Sequence, residues 1–225
     1  MIEECSLNVT EDEIICSRLA NKEYWTEYYE RELKNFEEFG DEGEVWFGRN
    51  AESRMVKYIS ENEQLSKSCK FIDFGCGNGS LLRALRQQGY SYLCGVDYSE
   101  EAVLLARKLT EGAESNIQID FQVVDLLSET MNLGKFDAVL DKGTWDALSL
   151  SVDRHCRLRK YKANVCKTLK PCGFFIICSC NYSKDELEKQ FSGELRFIEE
   201  VPSKNTFEFS GRKGSTTTCT VFQRL

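Results

Sequence analysis

Proline and histidine are almost missing from this chain of 225 residues, which carries two of the first and one of the second. With His155 the only imidazole and no two cysteines spaced C-x-x-C, the usual ligand sets of a zinc site cannot be assembled, so no metal is expected. Long apolar runs are missing too: none approaches the roughly 20 residues that a membrane helix needs. The opening MIEECSLNVTEDEI is acidic where a secretory or mitochondrial leader would be basic, which predicts a soluble intracellular protein with no membrane partner. Internal repeats and low-complexity linkers are absent as well, and a hydrophobic content of 41% suffices for one sizeable core.

Cysteine, by contrast, is abundant. Eleven of them, an odd number without regular spacing, fit free and mostly buried thiols better than a disulfide framework. Cys178 and Cys180 lie two apart in an expected strand, where they would share a face and pack in the core. The net charge of −8 is uneven: residues 1–44 hold fourteen carboxylates against four basic side chains, and the rest of the chain is slightly basic. An acidic front disfavours phosphate backbones, so no nucleic-acid partner is expected; it suits a basic protein partner, or is a solvated, partly helical arm.

Aromatic residues at helical spacing (Tyr24, Trp25, Tyr28, Tyr29, Leu33, Phe36) predict a helix over residues 21–39. Gly40, Asp41 and Gly43 break it, 44–48 reads as a loop, and residues 50–60 resume helical periodicity through Met55, Val56 and Ile59. From Lys70 strands and helices alternate, the pattern of right-handed crossovers in a largely parallel sheet. A helix over 154–169, a Pro171-Cys172-Gly173 turn, the apolar strand 174–180, a helix over 184–191 and a closing antiparallel hairpin (196–201 with 216–224) complete the pattern. Three regions follow: a flexible acidic N-terminus (1–20), a helical cap (21–60) and a catalytic domain (61–225).

The strongest chemical signal is Phe71-Ile72-Asp73-Phe74-Gly75-Cys76-Gly77-Asn78-Gly79-Ser80, an apolar strand entering a glycine-rich turn that opens a helix. Such a turn lets backbone approach a ligand where side chains would collide. A dinucleotide site commonly reads G-x-G-x-x-G; here the spacing is G-x-G-x-G with an acid two residues before, which favours S-adenosyl-L-methionine over a nicotinamide cofactor. Asp73 would contact the amino-acid portion of that cofactor, while Gly75, Cys76, Gly77, Asn78 and Gly79 pass beside its sulfonium. Asp97 ends the next strand at the distance of one strand-helix-strand unit and can accept both ribose hydroxyls, with Ser99 the better cap for the helix that follows. Tyr98 is placed to pack on adenine, and Asp125 with the Leu126 amide to reach the adenine edge.

After the fourth strand, Asp141-Lys142-Gly143-Thr144-Trp145-Asp146-Ala147 puts polar groups where the methyl acceptor should approach. Asp141 is the leading active-site carboxylate, able to orient a lysine ammonium and steady the sulfonium, or simply to brace the turn. Trp25, Tyr29, Trp46 and Phe47 either form a lid over cofactor and lysine or pack an ordinary capping helix.

Asp73 to Gly79, Asp97, Asp125 and the Asp141-Lys142-Gly143-Thr144 turn make residues 55–225 resemble the seven-strand class I methyltransferases. A narrower similarity runs through Glu23-Tyr24-Trp25, residues 28–33 and 39–48, Asp141 to Ala147 and Ser179-Cys180-Asn181-Tyr182. With it the chain resembles the methyltransferase-like enzymes that methylate a lysine of translation elongation factor 1-alpha, in the lysine methyltransferase 2 branch. The resemblance implies an α/β Rossmann-like sheet of seven strands in the order 3-2-1-4-5-7-6, with an N-terminal helical cap. It also implies a mostly cytoplasmic protein-lysine N-methyltransferase, with a nuclear share open. A monomer is expected, in which carboxylates and carbonyls near Asp141 and Asn181 dock the lysine. Cys76 departs from the family, where many relatives carry Thr. The cofactor half alone would serve a small-molecule methyltransferase or a noncatalytic binding module equally well. The amino-methylating nucleic-acid enzymes are disfavoured, because the turn after strand four lacks their two prolines.

Overall fold

The computed structural model describes residues 17–111, 117–203, 207–209, 212–214 and 216–225. Seven strands form one sheet: β1 (Lys70–Phe74), β2 (Tyr92–Asp97), β3 (Ile119–Val123), β4 (Phe136–Lys142), β5 (Leu169–Ser179), β6 (Leu195–Glu200) and β9 (Thr218–Arg224). Their order is β3-β2-β1-β4-β5-β9-β6, which is the 3-2-1-4-5-7-6 order once β9 is counted as the seventh strand of the sheet. The pairs from β3 across to β5 are parallel, and β9 runs antiparallel between β5 and β6. Strands β7 (Phe207–Phe209) and β8 (Arg212–Gly214) form a separate hairpin inside the β6–β9 connection.

Strands β1 and β2 are buried over every residue but the first, the continuous apolar signature of a sheet covered on both faces. On one face α2 (Gly48–Glu61) and α3 (Ser80–Gln87) bury Met55, Ile59, Leu81 and Leu85 against Phe71 and Leu140. On the other, α6 (Arg154–Thr168) and α7 (Lys184–Phe191) set Tyr161 and Phe191 against Trp145, Phe175 and Phe222. Helix α1 (Lys22–Phe39) lays Tyr28 and Tyr29 on Ala102 and Leu105 of α4 (Glu100–Thr110), which swings its aromatic face over the ends of β1 and β2. The strand order reverses between β1 and β4, so a crevice opens at their carboxyl ends. Of the acidic N-terminus, residues 1–16 lie outside the described residues, and Arg18–Ala20 forms a 3-10 turn with Ala20 buried.

Three local readings are corrected. Pro171-Cys172-Gly173 is not a turn before β5 but a bulge within it: pairing jumps from Phe136↔Leu169 to Ala138↔Phe174, with Cys172 at φ 59°. Because β5 stops at Ser179, Cys178 is fully buried while Cys180 is exposed at the strand's end, so the two do not share a core face. The string after β4 is not only a turn, since Thr144–Ser149 forms α5, too short to show periodicity. The nine described cysteines are all free. Among the described residues no helix is long and apolar enough to cross a membrane.

Helix α7 begins with a reciprocal cap: Ser183 Oγ accepts from the Glu186 amide, and Glu186 Oε2 accepts from the Ser183 amide at 2.8 Å. Ser183→Ala should cost about 1 kcal/mol in chemical denaturation, a typical loss for an N-cap hydroxyl.

Candidate active site

The turn from β1 to α3 is held by the neighbouring strand: the Gly75 and Cys76 amides donate to the Val96 carbonyl at 2.8 and 3.0 Å. Gly77 has φ +51°, and a methyl group there would overlap the Tyr29 hydroxyl, so glycine is required on two counts. The Gly77 amide donates to Asp97 Oδ2 at 3.1 Å, and the Ser99 amide to Oδ1 at 3.1 Å. Burial pushes the Asp97 carboxyl up, and these amides pull it back. Ser99, not Asp97, caps α4, its Oγ accepting from the Ala102 amide.

Beneath α1 and above this turn lies a cavity of about 200 Å³. Gly75, Cys76, Gly77 and Asn78 form its floor with Asp97; Tyr98, Asp125 and Leu126 close one end. Its roof is pinned by polar contacts from distant parts of the chain. Lys22 Nζ pairs with Asp125 Oδ2 at 2.5 Å, the Tyr98 hydroxyl donates to the Lys22 carbonyl, and Arg157 donates to the Ala20 carbonyl. Partial burial pushes the Asp125 carboxyl up, but Lys22 and the Leu127 amide outweigh it and hold it below the usual range. Trp25 donates to the Leu19 carbonyl and meets Trp46 edge to face at 4.7 Å; with Tyr29 and Phe47 they make an aromatic wall. Lys142 fixes that wall by donating to the Trp46 carbonyl at 2.9 Å.

At the other end the cavity reaches Asp146, Cys180 and Asn181. Ser179 Oγ donates to Asp146 Oδ1 at 2.5 Å and accepts from the Asn181 and Tyr182 amides, while the Cys180 amide donates to Asp146 Oδ2 at 2.8 Å. One carboxylate and one hydroxyl therefore shape the loop that carries Asn181.

Comparison with known proteins adds to this geometry. The family model described as a methyltransferase domain matches residues 65–220. EEF1A lysine methyltransferase 2 of Homo sapiens is 38% identical over 216 residues, spanning 96% of this chain and 90% of that protein. The chain belongs to the EEF1A lysine methyltransferase 2 family. A second relative, protein-lysine N-methyltransferase efm4 of Schizosaccharomyces pombe, is 38% identical across 92% of this chain and 94% of its own. Two solved structures share the fold: the N-methyltransferase NodS from Bradyrhizobium japonicum with S-adenosyl-l-homocysteine, and magnesium protoporphyrin IX methyltransferase from Synechocystis with bound SAM. The first has TM-score 0.63 at 17% identity over 89% of this chain and 98% of its own. The second has TM-score 0.62 at 16% identity over 97% and 100%. The cofactor of this family member is S-adenosylmethionine. The donor set fits it: carboxylates for hydroxyl and amine groups, aromatic faces for a ring and a sulfonium, and bare backbone between them.

Of the residues singled out in the sequence of this methyltransferase, Trp25, Gly75, Cys76, Gly77 and Asn78 line the cavity, as do Asp97, Tyr98, Asp125, Leu126 and Asn181. Three do not. Gly79 turns away, packed against Phe121 and Ala106. Asp73 borders a separate chamber of about 20 Å³ with Asn78, Ser80 and Lys142; burial pushes its carboxyl up to about 7, Lys142 opposing. Asp141, expected to face the acceptor, is instead wholly buried. It accepts from the Thr144 and Trp145 amides at 2.9 and 3.0 Å and from the Tyr161 hydroxyl at 2.5 Å, capping α5. Burial pushes it up to about 8 against those donors, and it has no face toward the cavity. Residues that sequence reasoning missed are Lys22, Arg157, Asp146 and Ser179.

Proposed function

We propose that this chain transfers a methyl group from S-adenosylmethionine to a lysine side chain of translation elongation factor 1-alpha. The observation that carries the reading is a continuous cavity, from the Asp97–Asp125 end to the polar mouth at Asp146 and Asn181, in a member of a lysine methyltransferase family. When bound, S-adenosylmethionine supplies an electrophilic methyl on a cationic sulfur. The chain's own residues align and desolvate. Asp97 accepts the ribose hydroxyls, Asp125 and the Leu126 amide meet the adenine edge, and Tyr98 offers its ring to the base. Gly75 to Asn78 let the cofactor lie on bare backbone. Trp25, Tyr29, Trp46 and Phe47 wall the cavity against water, so that the amine meets the methyl in line and unsolvated. Asn181 orients the amine at the mouth. The amine must be neutral to attack, so its proton leaves to water first. Asp73 reaches the amino-acid end of the cofactor through the water-sized chamber behind the turn. The protein works as a monomer in the cytoplasm, with a share in the nucleus, and has no need of nucleic acid or membrane.

Radiolabelled S-adenosylmethionine offered with purified elongation factor 1-alpha, a ribosomal RNA preparation and a small-molecule amine extract in parallel tests this reading. Label is expected on the elongation factor alone. Label on RNA or on small molecules with none on the factor contradicts it.

A further inference from the structure

With Asp141 sealed beneath its helix, a different carboxylate remains at the acceptor end. We infer that Asp146 is the residue that receives the substrate lysine, its carboxylate pairing with the incoming ammonium, while Ser179 positions that carboxylate. The inference rests on the lysine-methyltransferase reading and names the group of that site which meets the acceptor.

Asp146 lies in the first turn of α5, lines the cavity beside Cys180 and Asn181, and is only 4% exposed. A carboxylate so buried needs partners, and its hydrogen-bond partners are neutral: the Ser179 hydroxyl on one oxygen and the Cys180 amide on the other, with the Cys180 thiol and the Asn181 amide beside them. Neutral donors fix its direction without cancelling its charge. Burial pushes the Asp146 carboxyl up, with the Ser179 and Cys180 donors opposing, and an ammonium arriving through the mouth compensates that burial. Other titratable groups near it are Asp141 on β4, whose own carboxyl Asp146 helps to raise, and the Cys180 thiol, pushed up to about 11 by burial and by the Asp146 charge. Neither supplies a positive charge. Arg157, on the same cavity, is engaged by Asp153 and the Ala20 carbonyl. Lys142, on the same cavity, donates to the Trp46 carbonyl, and Lys22 pairs with Asp125. Among the described residues none of these three cations is paired with Asp146, and the substrate lysine takes that place.

A paired carboxylate also sets the pH dependence. It holds the bound lysine protonated to higher pH, so turnover climbs only as pH passes the raised lysine value. Asp146→Asn should raise KM for elongation factor 1-alpha about tenfold or more, leave S-adenosylhomocysteine affinity within about twofold, and shift the rising limb of the kcat profile to lower pH. Ser179→Ala keeps the charge but loosens the loop; it should raise KM less and leave the profile where it is. If both variants lose activity alike with unshifted profiles, Asp146 is structural and the inference is wrong, while wild-type labelling of the factor still upholds the parent reading. Should Asp146→Asn fail to fold, the wild type decides. In its S-adenosylhomocysteine complex it should bind a factor with Met in place of the labelled Lys about tenfold more weakly, and equal affinity overturns the inference.

Discussion

Asp97→Ala lowers affinity for S-adenosylhomocysteine about 100-fold or more, read by titration calorimetry, and methyl transfer falls with it. The carboxylate stands on the cavity floor at the end of β2, 7% exposed, with one amide on each oxygen. Two ribose hydroxyls donating to the remaining lone pairs make charged hydrogen bonds of about 1.5–3 kcal/mol each, and about 1.4 kcal/mol is a factor of ten. Loss of both therefore reaches two decades or more. The fold itself should suffer less: removing a buried carboxyl relieves its burial cost, which offsets the two amides left without an acceptor. A melting curve near that of the wild type beside an absent binding isotherm is the expected pair of results. Unchanged binding would move the ribose elsewhere in the cavity.

Gly77→Ala is expected to abolish cofactor binding at the concentrations that saturate the wild type. A left-handed φ of +51° costs an alanine about 1–2 kcal/mol, and its methyl group would overlap the Tyr29 hydroxyl. Tyr29 cannot retreat, being packed between Trp25, Tyr28 and the α4 residues Ala102 and Leu105. Relief must then come from the turn, which carries the amide that orients Asp97. Tyr29→Phe alone should bind cofactor almost normally, and added to Gly77→Ala it should restore part of the affinity, leaving the backbone strain. A Gly77→Ala protein with full affinity, measured by the same calorimetry, would show that the turn is not the floor of the site.

What local pattern could reveal, it revealed: the strand, turn and helix from Phe71 to Ser80, and Asp97 one unit later, are spaced by covalent geometry alone. The two helices of the cap followed in the same way, the first from aromatic periodicity and the second from Met55, Val56 and Ile59. The misplacement of Asp141 has a physical cause. Whether a carboxylate at a strand end looks outward or caps the helix that follows depends on that helix starting at once, and the six residues Thr144–Ser149 are too few to show a period. Had α5 been recognised, the cap would have been assigned to Asp141 and the cavity-lining position to Asp146. The roof was illegible for another reason: Lys22 meets Asp125 across 103 positions and Arg157 meets Ala20 across 137, so no neighbouring residue announces either contact. The β5 bulge hid behind Pro171 and Gly173, residues that signal a turn as readily as an irregular strand.

The most direct test of the central claim is peptide mass mapping of purified elongation factor 1-alpha after incubation with S-adenosylmethionine and either the wild type or Asp97→Ala. One lysine-containing peptide should gain methyl mass with the wild type and none with the variant. An unmodified factor in both reactions, from a wild-type protein that demonstrably binds S-adenosylhomocysteine, would contradict the assignment of this protein as its lysine methyltransferase.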